Sequence, residues 1–152
     1  MKRAIYISII STALLMACKQ DDDVISDPVS EVPNIELWAS GPGTVVALKD
    51  SIVFVIHYID GDGDLGYNSP DSLSLYVTDN RIGLTESMFV PLLAPEDAGV
   101  AIQGELSVEL HNTILIDPEA ESETVTFDIV LRDRAGHFSN TITSPPFTVV
   151  PE

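Results

Sequence analysis

From Ile35 onward, apolar residues recur at every second position in one segment after another, with glycine, proline, asparagine and aspartate between the segments. Side chains alternate across a strand, so this spacing predicts half-buried β-strands. Ile35 and Leu37 open the series. Ile52, Phe54, Ile56 and Tyr58 mark one face of a second strand, and Val53, Val55 and Ile59 make its other face apolar too, as a central strand requires. Leu73, Leu75 and Val77 define a third, opposed by Ser72, Ser74, Tyr76 and Thr78. Ile102, Leu106, Val108 and Leu110 then alternate with Gln103, Glu105, Ser107, Glu109 and His111, and Val125, Phe127, Ile129 and Leu131 alternate with Thr124, Thr126, Asp128 and Arg132. Phe138, Ile142, Phe147 and Val149 close the chain. Pro145 and Pro146 interrupt them, and because proline cannot donate to a ladder the pair predicts an edge position or a bulge. No stretch after residue 18 keeps a helical period for three turns.

About seven strands across residues 34–150 predict one all-β domain, an antiparallel sandwich that is immunoglobulin-like or fibronectin-III-like in architecture, with a closed barrel as the alternative. The resemblance is architectural: the chain has one cysteine, and Trp38 falls in the first strand, so the Cys, Trp, Cys spacing of true immunoglobulin domains is missing. At 152 residues the chain is expected to hold one domain, by the prior of about 100 to 200 residues per domain.

The first residues follow a different pattern. Lys2 and Arg3 precede an apolar run over residues 4–15, and Lys19 and three aspartates follow soon after it. A membrane-spanning helix needs roughly 20 apolar residues to cross about 30 Å of hydrocarbon, so the run is expected to be a signal peptide, residues 1–17, that is removed. Its end, Leu15-Met16-Ala17-Cys18, resembles the bacterial lipobox, with Met16 bulkier than the usual residue at its position. That resemblance implies a diacylglyceryl thioether and an added acyl chain on Cys18. Each buried methylene contributes about 0.8 kcal/mol, and stable anchoring takes more than one chain. As Cys18 is the only cysteine, its lipidation leaves no thiol for catalysis or metal binding. Residues 18–33 are expected to form the lipidated terminus and an acidic flexible tether, interrupted by Pro28 and Pro33. Within it Lys19, Asp21, Asp22 and Asp23 resemble the export tag of surface lipoproteins in bacteroidete-type Gram-negative bacteria. The same charges also read as a plain solvated spacer. The implied location is the outer membrane, facing outward, with the periplasmic face as the alternative.

Charge narrows the partners further. Seven lysines and arginines stand against 24 aspartates and glutamates, a formal charge of -17, and loss of Lys2 and Arg3 makes the mature chain more acidic still. Nucleic acid and anionic membrane surfaces are therefore poor electrostatic partners.

Part of that acidity is concentrated in Asp60-Gly61-Asp62-Gly63-Asp64-Leu65-Gly66, followed by Asp71. Carboxylates at alternate positions can converge on a hard cation if the chain curls, and glycine permits the curl. The spacing resembles an EF-hand loop with Asp60, Asp62, Asp64 and Asp71 as its acidic ligands. It departs from that loop in having Leu65 where glycine is required and Asp71 in place of glutamate, and strands flank it. In a sandwich of this kind the loop containing Asp133, Arg134, Ala135, Gly136 and His137 lies at the same end, so Asp133 is expected as an outer ligand to calcium. Two other readings stay open: Asp-Gly pairs that simply make tight turns, and Arg134 pairing with the aspartates so that no metal is needed. The segments DGDGDLG (60–66) and LRDRAGHFSN (131–140) look like a recurrent domain of surface lipoproteins in the same bacteria. That likeness spans most of residues 34–150 and implies an Ig-like surface module with no activity to carry over.

No HExxH, GxSxG or glycine-rich phosphate loop is present, and His57, His111 and His137 form no recognised pair. The expectation is a non-catalytic lipoprotein that binds a protein or glycan or serves adhesion, with Trp38, Tyr67 and Tyr76 as candidate contacts and calcium as a stabiliser. The alternative is a structural accessory subunit of an outer-membrane complex.

Overall fold

The computed structural model describes residues 29–152. The expected signal peptide, Cys18 and the expected tag residues Lys19, Asp21, Asp22 and Asp23 lie outside the described residues. Ten strands and no helix are found among the described residues: β1 (Asn34–Gly41), β2 (Thr44–Val46), β3 (Ile52–Asp60), β4 (Leu73–Asp79), β5 (Leu84–Phe89), β6 (Ile102–Leu110), β7 (Glu123–Val125), β8 (Phe127–Leu131), β9 (Ile142–Thr143) and β10 (Phe147–Val150). The domain is all-β, as the alternation predicts.

The strands form three sheets ordered β1-β3-β6, β5-β4-β8-β9 and β2-β10-β7. The first two are antiparallel throughout, and among the described residues the only parallel strand pair is β2 with β10. One core lies between the sheets. Ile52, Phe54, Ile56 and Tyr58 of β3 are buried against Leu75 and Val77 of β4, Phe127, Ile129 and Leu131 of β8, and Phe147 and Val149 of β10. Phe54 stands at its centre, edge-on to Phe127 and Phe147 with ring centroids 5.9 and 5.8 Å apart. Such contacts across facing sheets are what make a sandwich of them.

Ten strands arise where about seven were expected because two segments break and because β2 and β5 fall outside the alternating segments. The 123–131 segment pauses at Thr126, so β7 pairs with β10 and β8 with β4 and β9. The last segment breaks at Ser144-Pro145-Pro146, where the chain moves from one sheet to another. Ser144 repairs the break locally: its Oγ accepts the Phe127 N–H at 2.9 Å and its own N–H donates to the Phe127 carbonyl at 2.8 Å. Two residues assigned to the core by spacing are exposed. Leu73 sits beside a register shift in β4 that buries Ser74 instead, and Phe138 lies in the loop before β9.

Candidate cation site

β3 carries its core-facing series one step past the apolar residues. Ile52, Phe54, Ile56, Tyr58 and then Asp60 all point inward, and Asp60 is fully buried. The loop that follows is fastened by backbone and by one arginine. Leu65 is buried in the core, its carbonyl accepts the Leu93 N–H, and Tyr67 donates from its backbone to the Val90 carbonyl. Gly66 has φ +82°, and a Cβ there would collide with the Pro91 carbonyl, so only glycine lets the loop lie against the 90–93 segment.

Within this frame Asp60, Asp62 and Asp64 converge. One carboxylate oxygen from each lies within 4.8 Å of the others. A calcium ion bonds oxygen at 2.3–2.6 Å, so the three oxygens fit within a single coordination sphere. The outer oxygens are spent on the fold: Asp60 Oδ2 accepts the Asp64 N–H at 3.0 Å, and Asp64 Oδ2 accepts the Ala135 N–H at 2.8 Å. The Oδ1 atoms of Asp60, Asp62 and Asp64 are buried with no hydrogen-bond partner. Buried polar atoms without partners are costly, and three carboxylate oxygens together cost more. An all-oxygen donor set of this charge suits a hard divalent cation.

Titration reflects the same crowding. Burial is the main cause that lifts the Asp60 pKa to about 6, and the charges of Asp62, Asp64 and Asp133 add to it against the opposing hydrogen bond from Asp64. Asp64 is raised as well, again chiefly by burial.

Asp133 and Asp71 occupy different places. Asp133 is fully buried, but its Oδ1 accepts the N–H groups of Gly136 and His137 at 2.6 and 2.7 Å, and its Oδ2 lies 2.9 Å from His137 Nδ1. It shapes the 133–137 turn and adds negative field to the site. Asp71 is exposed in the turn that returns to β4 and is not one of the three converging carboxylates. The likeness to an EF-hand loop therefore stops at the third ligand. The loop's strand flanks lead the chain away instead of curling it back.

Arg134 forms no ion pair with the group, and its charge only partly offsets the rise at Asp64. Its guanidinium donates to the carbonyls of Gly66 at 3.1 Å and Glu96 at 3.0 Å, tying three loops together, and among the described residues no cationic side chain forms an ion pair with Asp60, Asp62 or Asp64. The role of Arg134 as a loop tie was missed in the sequence because carbonyl acceptors leave no side-chain signature.

The remaining candidates are scattered. Trp38 is exposed, Tyr67 is half-buried with its hydroxyl donating to the Asp133 carbonyl, and Tyr76 is half-buried with its hydroxyl donating to the Leu73 carbonyl. Ser51 Oγ lies 2.8 Å from His111 Nδ1, and Glu109 approaches that same nitrogen at 3.9 Å. A relay of nucleophile, base and orienter needs both ring nitrogens, so this cluster is not one. Comparison with known protein families and with curated proteins finds no match for the chain.

Proposed function

We propose that this protein is a cell-envelope lipoprotein, anchored to the outer membrane through acylated Cys18, whose sandwich is a non-catalytic binding module stabilised by calcium at Asp60, Asp62 and Asp64. The observation that carries the cation is the set of three buried Oδ1 atoms without partners, which a divalent ion would satisfy. The order β1-β3-β6 opposite β5-β4-β8-β9 supports an immunoglobulin-like or fibronectin-III-like type. The anchor rests on the Leu15-Met16-Ala17-Cys18 resemblance and the acidic tag after it.

A ligand bound only by the folded state raises stability by about 2.7 kcal/mol at a hundredfold excess over Kd, or on the order of 10 °C in melting temperature for a domain of this size. Calcium in place of EDTA is expected to produce such a rise in the wild type and none in Asp62→Ala. A melting temperature indifferent to calcium would sink the cation site. For the anchor, Cys18→Ser is expected to release the protein from the membrane fraction and abolish lipid labelling, and continued membrane association with label would refute it.

A further inference from the structure

The outer face of the β1-β3-β6 sheet has its own chemistry. Central strand β3 turns Val53, Val55, His57 and Ile59 outward, and all four are half-buried or exposed. Apolar residues on both faces are expected of a strand covered twice; here the second face is open. Across from them in register stand Glu109, Ser107, Glu105 and Gln103 of β6, and Glu36 of β1 faces His57 from the other side. An apolar strip thus runs down the middle strand with carboxylates on its flanks. None of the residues of β1, β3 or β6 is lysine or arginine, so within the sheet Glu36 and Glu105 have only the His57 ring between them, and Glu109 has His111 at 3.9 Å.

Trp38 sits on this face under restraint. The register of β1 shifts between Leu37 and Ala39, which leaves Trp38 on a bulge, and bulges re-aim side chains. Its ring stacks on His57 with centroids 4.6 Å apart and planes 29° from parallel, yet the residue remains 57% exposed. The indole is therefore fixed before any ligand arrives, which lowers the entropic cost of binding. Glu36 and Glu105 are the two cross-strand neighbours of the histidine beneath it, a spacing of about 5 Å between Cβ atoms. An electron-rich ring beside two carboxylates that have no lysine or arginine partner among the described residues attracts a cation, and a planar guanidinium can stack on the ring while pairing with a carboxylate.

We propose that this face docks an arginine-bearing segment of a partner protein, with the guanidinium on Trp38 between Glu36 and Glu105 and neighbouring apolar side chains along Val53, Val55 and Ile59. The inference deepens the binding-module reading and depends on it, but not on calcium or the lipid.

Trp38 is the only tryptophan in the chain, so its emission reports on this spot alone. The full chain in detergent, at low salt, is titrated with a synthetic peptide of alternating arginine and valine, a matched lysine-valine peptide and a neutral hexasaccharide. The arginine peptide is expected to change Trp38 emission saturably and at lower concentration than the lysine peptide. Glu36→Gln combined with Glu105→Gln should weaken it about fivefold, as loss of two exposed ion pairs implies. Trp38→Phe, followed by calorimetry, should weaken it about threefold. Glu119→Gln combined with Glu121→Gln, in the β6–β7 loop, should change nothing. Three results would each overturn the proposal: unchanged emission at millimolar arginine peptide, equal weakening by the Glu119 and Glu121 pair, which would mean binding to bulk charge, or saturation by the hexasaccharide alone, which would make the face a glycan site. The calcium melting and Cys18 fractionation read separate properties, so failure here is distinguishable from failure there.

Discussion

Asp60 and Asp133 show how one position can be structural and its counterpart chemical. Both extend the inward-facing series of their strands, both are fully buried, and both lie at the same end of the sandwich. The carboxylate of Asp133 is saturated by its own turn, whereas Asp60 keeps one oxygen free beside those of Asp62 and Asp64. Asp60 has an ordinary pKa of 3.8 and is pushed up to about 6 in the metal-free fold. The folded protein thus holds a proton that the unfolded chain releases between those values. Metal-free stability is expected to fall as pH rises through that interval and then level off, by on the order of 2 to 3 kcal/mol in all. Calcium must displace the proton, so its affinity should rise over the same interval and be flat above it. Calorimetric titration at pH 5 and pH 7 checks this: tighter binding at pH 7, with proton release on binding at pH 5, is expected, and equal affinity without proton release would contradict it. Asp62→Asn should show the opposite signs in two buffers, neutral or stabilising in EDTA because one of three crowded charges is gone, and destabilising in calcium because a ligand is gone.

At the scale of elements, a side chain closes the free edge of β1. The Ile35 N–H donates to Asn140 Oδ1 at 2.8 Å and Asn140 Nδ2 donates to the Ile35 carbonyl at 2.9 Å, so the amide takes the place of a neighbouring strand residue. Asn140→Ala would leave both backbone groups of a buried isoleucine without partners. The expected cost is about 2 to 3 kcal/mol, measured as a lower urea midpoint with an unchanged m-value. Nothing local announces this pair, because the two residues are 105 positions apart. The strands that were legible in the sequence are those with one buried face, such as β3, β6 and β8. β5 was not legible, since its first four residues are exposed whichever way they point, and β2 is three residues long and held by parallel pairing to the distant β10. The cation loop was legible in its Asp60, Asp62 and Asp64, because alternate residues that curl share a side. Asp71 misled because spacing along a chain describes a loop that returns on itself, and this one continues into β4.

Across the whole molecule the two ends carry opposite electrostatics. At the cation end three carboxylates crowd with no ion-pair partner among the described residues, and the backbone of Val29 and Ser30 lies against Gly61. At the far end Arg81 is nearly buried between Asp79 and Glu123, 2.6 Å from each. Glu123 also accepts the N–H groups of Asp117 at 2.7 Å and Ile116 at 2.9 Å, which fastens the 111–122 loop. Those backbone bonds first, and Arg81 after them, hold the Glu123 pKa below its ordinary 4.5. Its stabilising contribution is therefore complete above 4.5 and lost as pH falls through the depressed value, opposite in sign to Asp60. Hydrogen exchange on the metal-free protein, corrected for intrinsic rates, should separate the two ends. On acidification from pH 7 to pH 3, amides of residues 60–66 are expected to gain protection and amides of residues 111–122 to lose it, the second change beginning only below 4.5. Calcium added at pH 7 should protect the first group and leave the second unchanged, and Glu123→Gln should loosen the second at neutral pH without affecting the first. Parallel changes at both ends would instead mean that the sandwich opens only as one cooperative unit, with neither cluster governing its own loop.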